Sequence, residues 1–257
     1  MIDLNGLPHT AFIISNRSGV SLFVRLNGSG NQPLALVAHG LSDVHDSAHM
    51  RAIASGLVLA GFDVVTYDAS NSWGRSGGSI EYATLSAAYD DLCDVYAWMI
   101  SQPWFKGAVV LAGHSLGGAA AIRFAADGPT RVQRLVLVSP VVSGRLLSQR
   151  LNPVIRTLWW FLGRLPELSH KGKWYRYDLL HDGLKYDGVK LAGRLTMPTT
   201  IIAPARDLLI PIDQQKLLYA ALPEGSGSLN IISGANHTFS GHLEELITEV
   251  TTASLRR

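Results

Sequence analysis

The chain has 257 residues, which suits one large domain, or one domain with an insertion, and allows a sizeable core. Apolar residues make up 47% of the sequence and charged residues 16%, a balance typical of folded globular proteins and not of disordered chains. The 22 Lys and Arg nearly balance the 20 Asp and Glu, so we expect no nucleic-acid partner.

Three further features bear on the compartment. No apolar run approaches the roughly 18 residues that span a bilayer. The first residues, "MIDLNGLPHT", lack the charged and apolar regions of a signal peptide. The single cysteine, Cys93, excludes an internal disulfide and lies in a helical pattern of apolar residues. We therefore expect a cytoplasmic protein without stable membrane insertion, and the sequence leaves its oligomeric state open.

Short apolar segments alternate with amphipathic ones along the chain. The predicted strands are "HTAFIIS", "VSLFVRL", "LALVAH", "FDVVTY", "AVVLAG", "RLVLVS", "TTIIAP" and "LNIIS", the first two forming a hairpin around "NRSG". Helical patterns cover about 47–60, 83–101, 115–127, 212–221 and 241–255. This alternation predicts an α/β fold, with a mostly parallel eight-stranded sheet and helices on both faces. Ligands of such sheets bind beyond the carboxyl ends of the strands, so the residues after each strand are the candidates for a site.

The first such loop, after "LALVAH", reads His39-Gly40-Leu41-Ser42. Gly40 lets the backbone turn, and the N–H of Leu41 is then a candidate donor to a developing oxyanion. The alternative is a simple turn at the end of a strand. We expect Gly40 to border the substrate and His39 to brace the loop.

A histidine pair follows at the start of the first predicted helix. His45 and His49 are four residues apart and lie beside Asp43 and Asp46, so these side chains could bind a metal ion. No third ligand is evident from the spacing. We therefore expect no metal site, and nothing else in the sequence calls for a cofactor.

Two segments match the pattern Gly-x-Ser-x-Gly. "GRSGG" places Ser76 in a polar loop with no helix directly after it, whereas "GHSLG" places Ser115 directly between a strand and a helix. There the glycines permit a strained turn that exposes the hydroxyl, and the N–H of Leu116 faces the developing oxyanion. We predict that Ser115 is a nucleophile, that Leu116 is an oxyanion donor, and that His114 supports the turn and borders the substrate.

Residues 144–195 interrupt the alternation. They hold no convincing core strand, and their ten Lys and Arg against four Asp and Glu give +6, leaving −4 for the remainder. The stretch is too long for a plain connection, so we predict a cap over a core formed by 1–143 and 196–257. The tryptophans of this cap either line a substrate cavity or pack the cap onto the core; they are Trp159, Trp160 and Trp174. The basic aromatic segment could also contact a lipid interface.

A serine nucleophile needs a base and an acid that orients the base. Of the nine histidines, His237 follows the last predicted strand and is the predicted base. Asp207 follows "TTIIAP" and is the predicted acid, with a salt bridge to Arg206 as the alternative role. The other position where an acid is expected, after "RLVLVS", holds no carboxylate.

The motifs "HGL" at 39–41, "GHSLGG" at 113–118, "ARDLLIP" at 205–211 and "GANHTF" at 234–239 carry a resemblance to the α/β-hydrolase superfamily. It covers essentially the whole chain. Within the superfamily the sequence resembles capped bacterial serine esterases of the monoacylglycerol-lipase and cinnamoyl- or feruloyl-esterase kind. The resemblance implies cleavage of short- to medium-chain acyl esters or aryl esters through an acyl-enzyme, without a cofactor.

The same triad also serves other reactions, and motif spacing does not separate them. Thioesters, lactones, amides and some carbon–carbon bonds are alternative substrates. A ligand receptor that keeps the fold and the triad without turnover is the alternative outside enzymes.

Overall fold

Ten strands form in the protein, whose structure is a computed structural model that describes residues 4, 6–128, 131–166 and 174–255. Eight match the predicted strands and make one sheet: β1 His9–Ser15, β2 Ser21–Asn27, β3 Leu34–Ala38, β4 Asp63–Tyr67, β5 Val109–His114, β6 Val132–Val138, β9 Thr199–Pro204 and β10 Gly227–Ile232. The other two, β7 Arg164–Pro166 and β8 Trp174–Arg176, pair with each other as a separate antiparallel ribbon.

The strands of the main sheet follow the order β1-β2-β4-β3-β5-β6-β9-β10. Strand β2 runs antiparallel to both of its neighbours, and all the other pairs are parallel. The predicted hairpin is confirmed: Ser15 pairs with Ser21, and the side chain of Asn16 accepts the N–H groups of Ser18 and Val20 within the turn. The carboxyl ends of the parallel strands thus meet at one edge of the sheet.

The five predicted helices form within two residues of their expected bounds, and the described part of the 144–195 segment holds four short ones. In chain order they are α1 Ala48–Leu59, α2 Leu85–Ile100, α3 Ser115–Ala126, α4 Gly144–Gln149, α5 Pro153–Leu162, α6 Asp178–Gly183, α7 Gly188–Ala192, α8 Ile212–Ala220 and α9 Leu243–Leu255.

Helices cover both faces of the sheet. Leu36 and Val37, neighbours in β3, point to opposite faces because side chains alternate along a strand. Leu36 packs in a core with Leu92 of α2, whereas Val37 packs in a second core with Ile53 of α1 and Val250 of α9. Burial on both faces explains why the central strands are apolar at consecutive positions.

In its described part, the 144–195 segment contributes no strand to the main sheet. Two of its contacts with the rest of the chain are hydrogen bonds to Ser86 and Ser42. The N–H and hydroxyl of Ser86, at the start of α2, donate to Asp182 of α6 at 2.8 and 2.7 Å. The hydroxyls of Ser42, after β3, and Tyr175, in β8, also meet. These contacts hold the segment next to the carboxyl edge of the sheet.

Among the described residues, no helix is both long enough and apolar enough to cross a bilayer.

Candidate active site

Ser115 lies at a sharp turn between β5 and α3. Its φ of 53° falls in the left-handed region, which non-glycine residues seldom adopt. The flanking glycines allow this turn, because a Cβ on Gly113 would lie 2.5 Å from the carbonyl oxygen of Gly117, and one on Gly117 would lie 2.4 Å from that of Ala38. Only glycine lets helix and strands approach so closely, which accounts for the "GHSLG" pattern.

The three predicted catalytic side chains form one line of hydrogen bonds. The hydroxyl oxygen of Ser115 is 3.1 Å from Nε2 of His237, and Nδ1 of His237 is 2.7 Å from Oδ2 of Asp207. Because an ionised carboxylate only accepts hydrogen bonds, Nδ1 carries the proton. Nε2 is therefore left with a lone pair directed at the hydroxyl, as a general base requires.

Asp207 is buried at the far end of this line. Its Oδ1 accepts the backbone N–H groups of Leu209 and Ile210 at 2.8 and 2.9 Å. Burial raises the pKa of Asp207, but the hydrogen bond and charge of His237 and the hydrogen bond of Ser139 outweigh it and hold the pKa below its usual range. The carboxylate is thus ionised at neutral pH, and its ion pair among the described residues is with His237 instead of Arg206.

Ser139 belongs to this site, and sequence reasoning did not find it. Its hydroxyl donates to Oδ2 of Asp207 at 2.5 Å and lies 3.3 Å from Nδ1 of His237. It directly follows β6, which is the other position where the acid of the triad was expected and where no carboxylate is present. A positive φ of 42° turns its side chain toward the acid. The signal available in the sequence was a hydroxyl, followed by Pro140, at the end of a parallel strand.

The two residues predicted as oxyanion donors, Leu41 and Leu116, belong to segments that adjoin Ser115. A Cβ on Gly40 would lie 3.0 Å from the Cβ of Ser115, so the loop that continues into Leu41 passes against the nucleophile. Leu116 is the second residue of α3, and N–H groups in the first turn of a helix have no acceptor within it. The arrangement suits two backbone donors for one oxyanion.

His39 braces this loop, as expected. Its Nε2 accepts the N–H of Ala69 at 2.9 Å, so the ring proton is on Nδ1 and is donated to the carbonyl oxygen of Gly40 at 2.8 Å. The second Gly-x-Ser-x-Gly segment also has a structural role. Ser76 donates to the carbonyl oxygen of Asp68 at 2.5 Å and accepts the N–H of Phe23 at 2.8 Å.

His114 lies behind the triad instead of beside a substrate. Its ring is 3% exposed, its Nε2 is 3.0 Å from the carbonyl oxygen of His237, and the two rings are 4.8 Å apart. The expectation that His114 borders the substrate is therefore corrected, because the ring is covered, whereas its support of the turn agrees with the structure. Burial lowers the pKa of His114 well below its usual value, so the ring is neutral.

The two histidines of the predicted pair, His45 and His49, bind different carboxylates. His45 binds Oδ1 of Asp68 through Nδ1 at 2.9 Å, whereas His49 binds Oδ2 of Asp43 through Nε2 at 2.8 Å. Nδ1 of His114 lies 4.0 Å from the same Oδ2 of Asp43. His114 is thus the third group near His49 and Asp43. Because it lies 65 positions after His49 in the chain, the spacing of the residues around His49 could not predict it.

The three tryptophans of the 144–195 segment have different environments. Trp159 is 6% exposed, donates from Nε1 to the carbonyl oxygen of Tyr175 at 3.1 Å and meets Tyr177 edge-on. Trp160 is 64% exposed. Trp174 is partly exposed beneath the guanidinium of Arg164. Of the two roles considered for these rings, packing fits Trp159.

The N-terminal and central part of the chain, residues 31–182, matches the family model Hydrolase_4, described as serine aminopeptidase, S33. The matched range contains the elbow and the loop after β3. The chain belongs to the Hydrolase_4 family.

Proteins that are similar to this chain in sequence or structure are consistent with this family. Rat monoglyceride lipase is 26% identical over 97% of this chain and 89% of its own length. Among solved structures, ferulic-acid-bound Est1E from Butyrivibrio proteoclasticus has a TM-score of 0.82 and 19% identity, over 94% of this chain and 97% of that one. Pyrococcus furiosus esterase Pf2001 has a TM-score of 0.74 and 19% identity, over 97% and 92%. The protein is an α/β-hydrolase related to serine esterases and lipases, with the predicted fold.

Proposed function

We propose that the protein is a carboxylic ester hydrolase that acts through an acyl-enzyme. The observation that carries the proposal is the unbroken line of hydrogen bonds from Ser115 through His237 to Asp207. The preference for esters over other acyl compounds is supported by the likeness to monoglyceride lipase in sequence and to Est1E in fold.

In the proposed mechanism the Ser115 oxygen attacks the ester carbonyl while Nε2 of His237 takes its proton. The carbonyl oxygen becomes an oxyanion, which the N–H groups of Leu41 and Leu116 stabilise. His237 then returns the proton to the leaving alcohol, and the C–O bond to that alcohol breaks. A water molecule, deprotonated by His237, releases the acid and regenerates Ser115. Asp207 stays ionised throughout and stabilises the imidazolium.

We further propose that the 144–195 segment forms a cap over this site and determines substrate size. Its contacts with Ser42, in the loop after β3, and with Ser86, at the start of α2, support this role. Gly40 and Trp174 are proposed to border the bound ester. A preference for short- to medium-chain acyl esters or aryl esters is part of this proposal. We also propose a cytoplasmic location, which the free thiol of Cys93 fits.

A second role for the cap, contact with a lipid interface, is favoured by the outer surface of α5. This helix exposes large apolar side chains along nearly its whole length: Val154, Ile155, Leu158, Trp160, Phe161 and Leu162. Arg156 is exposed on the same helix, and aromatic side chains next to basic ones are typical of interfacial helices. We propose that α5 rests on lipid surfaces without inserting a spanning segment.

The test is a fluorophosphonate probe followed by a panel of p-nitrophenyl esters of rising acyl length, with the matching thioesters and lactones. We expect labelling of Ser115 and the highest kcat/KM on esters. Labelling without turnover of any substrate supports a ligand receptor instead, and faster turnover of thioesters or lactones replaces the ester proposal.

A further inference from the structure

A second cluster of ionisable side chains lies behind the triad and has no part in the proposed mechanism. Asp43 is in the loop after β3, His49 is in the first turn of α1, and His114 is the last residue of β5. One ligand atom from each of the three residues lies within 4.8 Å of the other two. The two imidazole rings are 4.5 Å apart and both are buried.

One nitrogen in this cluster lacks a partner. Nε2 of His114 lies 3.0 Å from the carbonyl oxygen of His237, and a carbonyl only accepts, so Nε2 carries the ring proton. Nδ1 therefore presents a lone pair. It is buried and, within the described ranges, has no hydrogen-bond donor. It faces Oδ2 of Asp43, another acceptor, at 4.0 Å.

Two lone pairs that face each other in a buried space repel, unless something positive lies between them. A buried acceptor left without a donor is destabilising, so such groups in folded proteins usually have a function or a bound partner. A cation that accepts a lone pair from each atom satisfies both, as does a water molecule that donates a hydrogen bond to each.

We propose that Asp43, His49 and His114 form a binding site for a divalent transition-metal ion, with Zn²⁺ as the best match. Two imidazole nitrogens and one carboxylate oxygen are a ligand set that Zn²⁺ prefers, and three protein ligands leave a fourth position for water. Histidine ligands usually donate their other ring N–H to a carbonyl or carboxylate, as His114 does to His237.

The distances fit this assignment after small movements. Zinc–ligand bonds of about 2.0–2.1 Å in a tetrahedron place neighbouring ligand atoms about 3.3 Å apart. The separations from Oδ2 of Asp43, 2.8 Å to His49 and 4.0 Å to His114, lie on either side of that value. Binding requires that the proton now on Nε2 of His49 leave that nitrogen, either to Nδ1 of the same ring or to solvent.

The site adjoins the catalytic residues. His114 directly precedes Ser115 and holds the backbone of His237, and a Cβ on Gly40 would lie 3.1 Å from Nδ1 of His114. A cation on Nδ1 therefore lies against the loop that carries Leu41. If the proposed esterase function holds, occupancy by Zn²⁺ should change its rate, whereas metal binding itself does not depend on that function.

The experiment is calorimetric titration of the full chain, freed of metal by a chelator, with Zn²⁺ alone. We expect one tight equivalent, and a rise in Tm with added Zn²⁺ because the ion binds the folded state. His49→Gln and Asp43→Asn should each weaken binding by about 100-fold or more, since loss of outer-shell partners alone costs 10–100-fold. Co²⁺ at the site should show visible absorption that His49→Gln removes.

His242→Gln is the matched control, because His242 is a partly exposed histidine paired with Glu245 outside the cluster. It should keep the tight equivalent and the rise in Tm. The proposal is overturned if the wild-type chain binds no equivalent tightly, if both cluster variants bind as tightly as wild type, or if only His242→Gln loses binding. Fluorophosphonate labelling of Ser115 in the same samples reports separately on the proposed esterase function.

Discussion

Ser139 and His237 share one acceptor: both donate to Oδ2 of Asp207, at 2.5 and 2.7 Å. The hydroxyl of Ser139 therefore orients the carboxylate that in turn orients the base. Ser139, directly after β6, thus supports Asp207, which lies in the loop after β9.

Replacing Ser139 by Gly should slow ester hydrolysis by about tenfold or more. A hydrogen bond to a charged group contributes about 1.5–3 kcal/mol, and part of this is lost from the ionised, correctly oriented Asp207. Glycine is the suitable probe because the φ of 42° is easy for it. Steady-state kinetics should show the loss in kcat with little change in KM, and thermal unfolding should show a lower Tm because the buried hydrogen bond to Asp207 is lost. Full activity would mean that Asp207 is held by Leu209 and Ile210 alone.

Asp207→Asn should reduce kcat by about 10³–10⁴-fold while the fold is kept. The amide oxygen will stay where two backbone N–H groups donate, so the NH₂ group must face Nδ1 of His237. Nδ1 then has to accept, the proton moves to Nε2, and Ser115 loses its base. Single-turnover acylation measures this step directly. A loss of less than tenfold would show that another group orients the ring.

Gly117→Ala should destabilise the protein by about 1–3 kcal/mol or more, because the new Cβ would lie 2.4 Å from the carbonyl oxygens of Ala38 and His39. Gly183→Ala is the matched control, since no atom lies within 4 Å of its added Cβ. The control should be neutral or slightly stabilising. Chemical unfolding of both variants measures the difference. Equal stability would mean that the close approach of α3 to β3 is not required.

Trp159→Ala and Trp160→Ala should differ although the residues are adjacent. Trp159 is buried and its Nε1 is hydrogen-bonded, so its loss should cost about 3–5 kcal/mol of stability. Trp160 is largely exposed, so its replacement should leave Tm and turnover of soluble esters unchanged and weaken binding to anionic vesicles. Calorimetry and vesicle sedimentation measure the two effects. If Trp160→Ala instead lowers kcat/KM on bulky soluble esters, α5 lines the substrate cavity.

Sequence reasoning predicted the sheet, its covering helices and the three residues of the proposed triad because their signals are local. The apolar runs of β3 and β5 reflect burial on both faces, and "GHSLG" reflects backbone contacts that only glycine allows. Asp207 and His237 could be predicted because the carboxyl ends of parallel strands share one edge of a sheet.

The remaining features depend on contacts between distant segments. Ser139 was not predicted because its role depends on a hydrogen bond to Asp207, 68 positions away in the chain. His114 was expected beside the substrate, although its ring turns under the elbow toward His49 and His237. Nothing in the spacing of "HDSAHM" indicates that β5 brings a third ligand to Asp43 and His49.

Ester turnover by Ser115→Ala beside Ser76→Ala, with thermal unfolding of both, tests directly whether Ser115 is the nucleophile. Ser115→Ala should lose fluorophosphonate labelling and all but a trace of turnover while remaining folded. Ser76→Ala should still label and turn over ester, although the loss of its hydrogen bonds to Asp68 and Phe23 should lower its Tm. A folded Ser115→Ala variant that hydrolyses ester at close to the wild-type rate would show that Ser115 is not the nucleophile.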